Sequence, residues 1–214
     1  MNVQSSHPGG DRPMEVSEIR AAYADQAAWF HRLEPIERLL TGRYRRRLFG
    51  GLDGEILDVA CGTGSNFPYL ADAASVIGVD ISPEMLERAE DRLEQSGLSG
   101  HVMEMDAQSL AFPSDRFETV ISSLSTCTFP DPVVALQEME RVAKPGGRIL
   151  LLEHGRSDVR PVARFQEWRA DAHYESLGCR WTQEPLEVVE AAGLDIEYAD
   201  SAVLGMLTSI AARA

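Results

Sequence analysis

The chain is poor in positive charge, which limits the kinds of partner it can bind. Lys144 is its one lysine, and 20 Lys and Arg residues stand against 34 Asp and Glu residues, for a formal net charge of -14. Because affinity for DNA or RNA comes from clustered cations, this balance argues against a nucleic-acid partner. One short basic run occurs at residues 43–47. We interpret it as the solvated face or the C-terminal end of a helix, with attraction to an acidic lipid or an anionic substrate as the alternative.

Cysteines and long apolar runs are also scarce. Cys61, Cys127 and Cys179 are odd in number and widely separated, so their spacing indicates neither a disulfide framework nor a metal site. A free cysteine is usually a small buried apolar group, which is how we interpret Cys127 and Cys179, with contact to a substrate as the alternative. No run is apolar enough to span a bilayer, and residues 1–6 lack a signal-peptide pattern. We therefore expect a cytoplasmic protein without an integral membrane segment and without a metal.

The segment 55–64 carries the most information about function. An apolar run ends in Cys61-Gly62-Thr63-Gly64, and a helix-compatible segment follows. The glycines lack a Cβ, so the backbone can turn sharply and lie against a ligand. The next apolar run, residues 75–79, ends in Asp80, whose carboxylate can accept two hydrogen bonds from the hydroxyls of a ribose. Together the glycine turn and Asp80 predict a nucleoside-containing ligand.

Two phosphate-binding signatures are absent from the same segment. A dinucleotide site of the Gly-x-Gly-x-x-Gly type has a third glycine, but Phe67 stands at that position. The Gly-x-x-x-x-Gly-Lys loop is absent too, since the single lysine lies far downstream. The site is therefore expected to take a nucleoside without phosphates.

Residues 57–64 resemble the first motif of the class I S-adenosylmethionine-dependent methyltransferases. The resemblance covers roughly residues 20 to 214, through four further segments in the family's order: 79–86, 105–107, 117–123 and 136–147. It implies an α/β fold with a Rossmann-like, seven-stranded, mostly parallel sheet, an antiparallel terminal strand, helices on both faces and an N-terminal helical cap. S-adenosylmethionine is the implied cofactor.

The predicted domain organisation is simple. Residues 1–13 are expected to form a disordered lead-in, and 14–214 a single methyltransferase domain, with a helical cap at 14–50 and a core at 54–214. Within the cap we expect two helices, Val16–Phe30 and a second from Pro35 to Phe49, because proline suits a first helical turn. Later strands are predicted at 102–105, 119–122 and 148–153, later helices at 160–177 and 184–192, and a closing antiparallel pair at 194–200 and 207–212.

The resemblance also implies which residues contact the cofactor. They lie on the first helix, on the glycine turn and at the ends of the next three strands: Tyr23, Asp58, Ala60, Cys61, Gly62, Gly64, Asn66, Asp80, Ile81, Met85, Asp106, Ala107, Ser122 and Ser123. Two of these roles have alternatives. Tyr23 either closes over the cofactor, as a matching tyrosine does in relatives, or packs in the core. Asp58 either touches the cofactor or anchors the glycine turn.

The chemistry of methyl transfer needs little from the protein beyond positioning and exclusion of water. His154, at the end of the fifth predicted strand, is the candidate catalytic residue as a general base, with a hydrogen bond to a nearby loop as the alternative. Residues 151–155 and 178–184 are similar to a group that contains thiol and phospholipid N-methyltransferases. We expect a small-molecule acceptor, with a thiol preferred because a thiolate needs little help from a base.

Three functions other than thiol methylation stay open from the sequence. They are a phospholipid N-methyltransferase, a quinone C- or O-methyltransferase, and a non-catalytic cofactor-binding protein. Peripheral membrane contact through residues 39–49 would accompany a lipid acceptor. The sequence predicts no oligomeric state.

Overall fold

A computed structural model describes residues 14–73 and 75–214, with the side chains of 24–35 excepted. The predicted lead-in, 1–13, lies outside the described residues. The elements are α1 (Val16–Phe49), β1 (Glu55–Val59), β2 (Ser75–Asp80), α2 (Pro83–Ser96), β3 (Gly100–Glu104), β4 (Phe117–Ser123), α3 (Pro132–Val142), β5 (Ala143–His154), α4 (Arg160–Leu177), α5 (Pro185–Ala192), β6 (Asp195–Ala202) and β7 (Leu207–Arg213). Within the described ranges, no helix combines the length and apolarity needed to cross a membrane.

The strands form one seven-stranded sheet in the order β3-β2-β1-β4-β5-β7-β6. All neighbours pair in parallel except β7, which runs antiparallel to both β5 and β6. The chain passes from β3 back to β4 on the other side of β1, so the strand order reverses beside β1. In open sheets of this kind, ligands bind beyond the carboxyl ends of the strands at this point. The predicted Rossmann-like sheet with an antiparallel terminal strand is confirmed.

Helices cover both faces of the sheet, as predicted. On one face Leu136 and Met139 of α3 pack against the central strands, and on the other Phe49 of α1 and Leu86 of α2 do so. The central strands β1 and β4 are buried on both faces, which explains why their sequences are nearly continuous apolar runs.

Helix α2 begins as its sequence indicates. The Ser82 hydroxyl accepts a hydrogen bond from the Met85 amide at 3.3 Å, and Pro83 occupies the first turn. Gly97 ends the helix in a left-handed conformation with φ of 67°. This start fixes the helix directly after Asp80 at the end of β2.

Three predicted elements differ from the observed ones by more than two residues. The cap contains one continuous helix, α1, instead of two, because an internal proline removes one helical hydrogen bond without necessarily ending the helix. Among the described residues between the glycine turn and β2, the structure has one 3-10 turn, Phe67–Tyr69, and no α-helix. Strand β5 begins at Ala143 instead of Arg148, since Ala143 pairs with Phe117 across a bulge.

Two carboxylates are fully buried within the sheet. Asp58 lies on β1 and Glu153 on β5, and neither is exposed to solvent. Glu153 accepts hydrogen bonds from the backbone amides of Ser125 at 3.1 Å and Thr126 at 3.3 Å. Burial raises the pKa of each carboxyl to about 7, against the effect of these and other hydrogen bonds.

These raised pKa values predict that the protein loses stability as the pH rises from about 4.5 to 7. In that window the unfolded chain releases the proton of Glu153 while the folded chain keeps it, so deprotonation favours unfolding. Glu153→Gln should reduce the difference in unfolding free energy between pH 4.5 and 8 by an amount on the order of 3 kcal/mol. Urea unfolding at both pH values measures this.

The control is Glu90→Gln, at an exposed position on α2. It should leave the pH dependence of the unfolding free energy unchanged. If Glu153→Gln also leaves that dependence unchanged, Glu153 does not titrate in this window.

Candidate functional site

A cavity of about 360 Å³ opens beyond the carboxyl ends of β1 to β4, beneath α1. Its lining comes from α1, from the segments that follow each of the four strands, and from the start of α2. The lining residues are Val16, Ile19, Tyr23, Glu37, Arg45, Ala60, Cys61, Gly62, Thr63, Ser65, Asp80, Ile81, Met85, Met105, Asp106, Ala107, Ser123, Leu124, Ser125, Thr128, Phe129 and Pro130.

The fold brings most of the predicted cofactor residues together in this lining. They are Tyr23, Ala60, Cys61, Gly62, Asp80, Ile81, Met85, Asp106, Ala107 and Ser123. Five predicted residues lie outside it: Asp58, Gly64, Asn66, Ser122 and His154. Ser122 is buried and donates a hydrogen bond to the Val59 carbonyl at 2.7 Å, so it joins β4 to β1.

Asp80 links the two segments that form the wall of the cavity. Its Oδ2 accepts a hydrogen bond from the Gly62 amide and its Oδ1 accepts one from the Ser82 amide, both at 2.9 Å. Burial raises the pKa of Asp80, while the two amide hydrogen bonds oppose that rise. One carboxylate therefore connects the glycine turn after β1 with the start of α2.

The two glycines of the turn have different surroundings. A Cβ built on Gly62 would meet no atom within 4 Å, so the bare backbone there faces open space. A Cβ on Gly64 would lie 2.6 Å from the Phe67 ring. Both residues have positive φ, 54° at Gly62 and 75° at Gly64. Gly62 thus leaves room in the cavity, whereas Gly64 permits packing against Phe67.

Two residues that lack the freedom of glycine adopt the left-handed conformation at the cavity. Ala60 follows β1 with φ of 54°, and Leu124 follows β4 with φ of 55°. The neighbouring hydrogen bonds fix these turns, since the Cys61 amide donates to Val79 at 2.9 Å and the Leu124 amide donates to Leu152 at 2.8 Å. Such strain persists where the surroundings impose it, and it concentrates at functional sites.

A buried polar network lies under the glycine turn. The Asn66 amide nitrogen donates to both oxygens of Asp58, at 3.0 and 3.1 Å, and the Asn66 carbonyl contacts the Arg45 guanidinium. Arg45 also donates to Ser123 Oγ and to Glu37 Oε1, both at 2.7 Å. These contacts match the alternative in which Asp58 anchors the turn.

Arg45 belongs to the site although the sequence of the basic run 43–47 indicates a solvated helix face or helix end. Arg43, Arg46 and Arg47 are exposed, but Arg45 is 3% exposed. Thr41 and Phe49, each one helical turn from Arg45, are buried as well, so this side of α1 faces the protein interior.

The part of the cavity lining that comes from the segment after β3 and from α1 combines polar and apolar groups. Asp106 Oδ1 accepts a hydrogen bond from the Gln108 amide at 2.9 Å, beside the buried Ala107. Tyr23 approaches from α1 and hydrogen-bonds with Thr128; burial, followed by the nearby Cys127 and Cys179, raises the pKa of Tyr23 well above its usual value. Among the described residues that line the cavity there is no histidine and no lysine.

His154 contacts two thiols. Its Nε2 lies 3.1 Å from Cys127 Sγ and 3.4 Å from Cys179 Sγ. The contact with Cys127, and then those with His154 and His173, lower the pKa of Cys179, although burial opposes them. Burial acts to lower the pKa of His154, but its hydrogen bond to Cys179 raises that pKa overall. The role of His154 as a base stays a prediction.

Comparison with known proteins gives the chain its family. Residues 57–151 match the family model described as a methyltransferase domain. The phosphatidylethanolamine N-methyltransferase of Cereibacter sphaeroides is 35% identical over 150 residues, which cover 64% of this chain and 72% of that protein. The demethylmenaquinone methyltransferase of Thermus thermophilus is 41% identical over 101 residues, 46% of each chain.

Solved structures agree with this assignment at the level of the fold. In the complex between the Haloferax volcanii Trm112 methyltransferase activator and a methyltransferase, one chain superposes with a TM-score of 0.73 at 19% identity. The match covers 92% of this chain and 97% of that one. The chain therefore belongs to the class I S-adenosylmethionine-dependent methyltransferases.

Proposed function

We propose that the cavity binds S-adenosylmethionine through the residues that line the carboxyl edge of the sheet. Asp80 would accept hydrogen bonds from the ribose hydroxyls. Asp106 and Ala107 would contact the edge of the adenine, and the turn at Cys61 and Gly62 would face the methionine portion. The observation that carries this assignment is the juxtaposition of the Asp80 carboxylate with the bare backbone of Gly62, joined at 2.9 Å beside the cavity. The donor set fits a nucleoside, because it offers carboxylates and amides, and the one cation in the described lining, Arg45, is already bound to Asn66, Ser123 and Glu37.

When bound, the cofactor would supply an activated methyl group: a nucleophile would bond to the methyl carbon in line with the carbon–sulfur bond, which breaks to leave the neutral thioether S-adenosylhomocysteine. The chain's own residues hold the reactants and exclude water, which is the main requirement of such a displacement. Tyr23 on α1 and the pair Phe129 and Pro130 after β4 also line the cavity. The acceptor is expected beside these residues.

Asp80→Ala should weaken the binding of S-adenosylhomocysteine, the demethylated cofactor, about 10- to 100-fold. The substitution removes charge-assisted hydrogen bonds to the ribose, which contribute roughly 1.5–3 kcal/mol. Isothermal titration calorimetry measures the change in Kd. The control is Glu104→Gln, an exposed acid at the end of β3 that is outside the cavity lining. An Asp80 variant that binds as tightly as the parent would contradict the assignment.

The two glycines of the turn should respond differently to alanine. Gly62→Ala should lower cofactor affinity about tenfold or more, because the new methyl enters the cavity, with a stability cost of only roughly 1–2 kcal/mol for the left-handed backbone. Gly64→Ala should lower the unfolding free energy further, because its methyl also collides with Phe67. Chemical denaturation and calorimetry on the same pair of proteins separate the two effects. If both variants lose cofactor affinity in proportion to the unfolding free energy that they lose, the turn does not contact the cofactor and only connects β1 to the next segment.

For the acceptor, we infer an amine-bearing phospholipid presented at a membrane surface. Ile36, Leu39 and Leu40 on α1 are 56, 82 and 58% exposed. Glu37 and Arg45 on the same helix line the cavity, so one helix carries both the apolar surface and part of the cavity lining. The exposed Arg43 and Arg46 add positive charge suited to anionic lipid. The relative from Cereibacter sphaeroides carries the same substrate class in its name.

A thiol acceptor is the second candidate, and one observation favours it. The described lining contains no histidine or lysine to act as a base, and its carboxylates already accept hydrogen bonds. A thiol ionises readily and needs no such base. The quinone alternative is supported by the Thermus thermophilus relative. Membership of a methyltransferase family removes the support for a non-catalytic protein.

The release of S-adenosylhomocysteine, measured with a panel of acceptors, shows which acceptor class the enzyme methylates. With phosphatidylethanolamine in anionic vesicles we expect turnover that falls as salt rises, because salt screens the attraction of the α1 arginines to the surface. Leu39→Ser should reduce this turnover several-fold. Leu204→Ser, which changes a second exposed leucine (57% against 82% for Leu39) between β6 and β7, serves as the control. Turnover confined to soluble thiols or to quinols would reject the phospholipid and assign the alternative.

A further inference from the structure

The proposed transfer leaves one cluster of reactive side chains unused. Cys127 lies in the segment after β4, His154 ends β5, and Cys179 follows α4, so three separate parts of the chain meet there. The two sulfurs are 3.4 Å apart, and His154 Nε2 lies 3.1 Å from one and 3.4 Å from the other. Both cysteines are buried and neither forms a disulfide.

We propose that Cys127, His154 and Cys179 together form a binding site for a divalent metal ion of the Zn²⁺ type. The donor set is two thiols and one imidazole, and zinc in proteins prefers sulfur and nitrogen ligands of this kind. The site is distinct from the cofactor cavity, since none of the three residues lines it. It does not depend on which acceptor the enzyme uses.

The separations of the three atoms fit a tetrahedral metal. Bond lengths of about 2.3 Å to sulfur and about 2.0 Å to nitrogen place tetrahedral ligands roughly 3.8 Å apart for two sulfurs and roughly 3.5 Å apart for sulfur and nitrogen. The observed separations, 3.1 to 3.4 Å, are smaller by a few tenths of an ångström. Side-chain movements of that size suffice to admit the ion.

The surrounding backbone holds the ligands in place. The amide of Arg180, next to Cys179, donates to the Cys127 carbonyl at 2.9 Å. The Arg180 guanidinium donates to the carbonyls of Phe129 at 2.7 Å and Pro130 at 3.2 Å. His154 is fixed by its place in the β5–β7 ladder, opposite Leu207. Outer contacts of this kind orient metal ligands before the metal binds.

The coordination has room for a fourth ligand. Three protein ligands leave one tetrahedral position to water or to another donor. His173 on α4 hydrogen-bonds with Cys179 and stacks on Trp181 with ring centroids 4.3 Å apart. It therefore places a second imidazole next to the proposed metal ligands.

A disulfide between Cys127 and Cys179 is the main competing fate of the cluster. It would use only two of the three converging side chains and give no role to the contact of His154 with both sulfurs. The metal accounts for all three, and its binding would tie the segment after β4, the end of β5 and the segment after α4 to one another.

Titration of the full chain with Co²⁺ tests the proposal. The protein is first reduced, treated with a chelator and desalted, and Co²⁺ is then added while the absorption of thiolate-to-cobalt charge transfer is recorded. We expect one equivalent of Co²⁺ to bind, Zn²⁺ to displace it, and X-ray absorption to show two sulfur neighbours. Cys127→Ser, Cys179→Ser and His154→Gln should each weaken binding at least tenfold.

Two variants control for the residue types. Cys61→Ser changes the third cysteine, and His101→Gln changes an exposed histidine on β3; both should retain Co²⁺ binding. The proposal is overturned if the reduced, folded parent protein binds no Co²⁺, or if its spectrum lacks the thiolate bands. Because these two results come from the parent protein, misfolding of a ligand variant cannot hide them.

Discussion

The hydrogen bond between the Gly62 amide and the Asp80 carboxylate is the interaction on which the site depends. It joins the turn after β1 to the end of β2, and the second oxygen of Asp80 fixes the start of α2. The sheet order places these segments beside the point where the chain crosses to β4. A parallel sheet with this reversal brings its ligand groups to one edge, and the Asp80 carboxylate fixes the turn at Gly62 there.

A second layer of contacts supports that edge from below. Arg45 reaches from α1 to Asn66, and Asn66 in turn binds Asp58, so the long N-terminal helix is coupled to the glycine turn through buried polar groups. Such groups must all be paired, because an unpaired buried charge would cost more than the network contributes. The same helix provides Tyr23 to the cavity. One helix, α1, thus contributes Tyr23 to the cavity lining and Arg45 to the network beneath the glycine turn.

Local patterns in the sequence predicted the parts of this structure that depend on neighbours along the chain. The apolar runs of β1 and β2, the bare turn at Gly62 and the serine–proline start of α2 all lie where the sequence indicates. The continuity of α1 could not be predicted, since its proline is compatible with either outcome. Arg45 and the contact of Cys127 with Cys179 escaped prediction for another reason. Their partners are distant in sequence, and only the folded chain brings them together.

Asp80 and the turn at Gly62 are proposed to hold the nucleoside of the cofactor. A crystal structure of the chain with S-adenosylhomocysteine measures this most directly. We predict the ribose hydroxyls within hydrogen-bonding distance of Asp80 and the adenine beside Asp106 and Ala107. A ligand bound elsewhere, or one whose ribose does not touch Asp80, would contradict it.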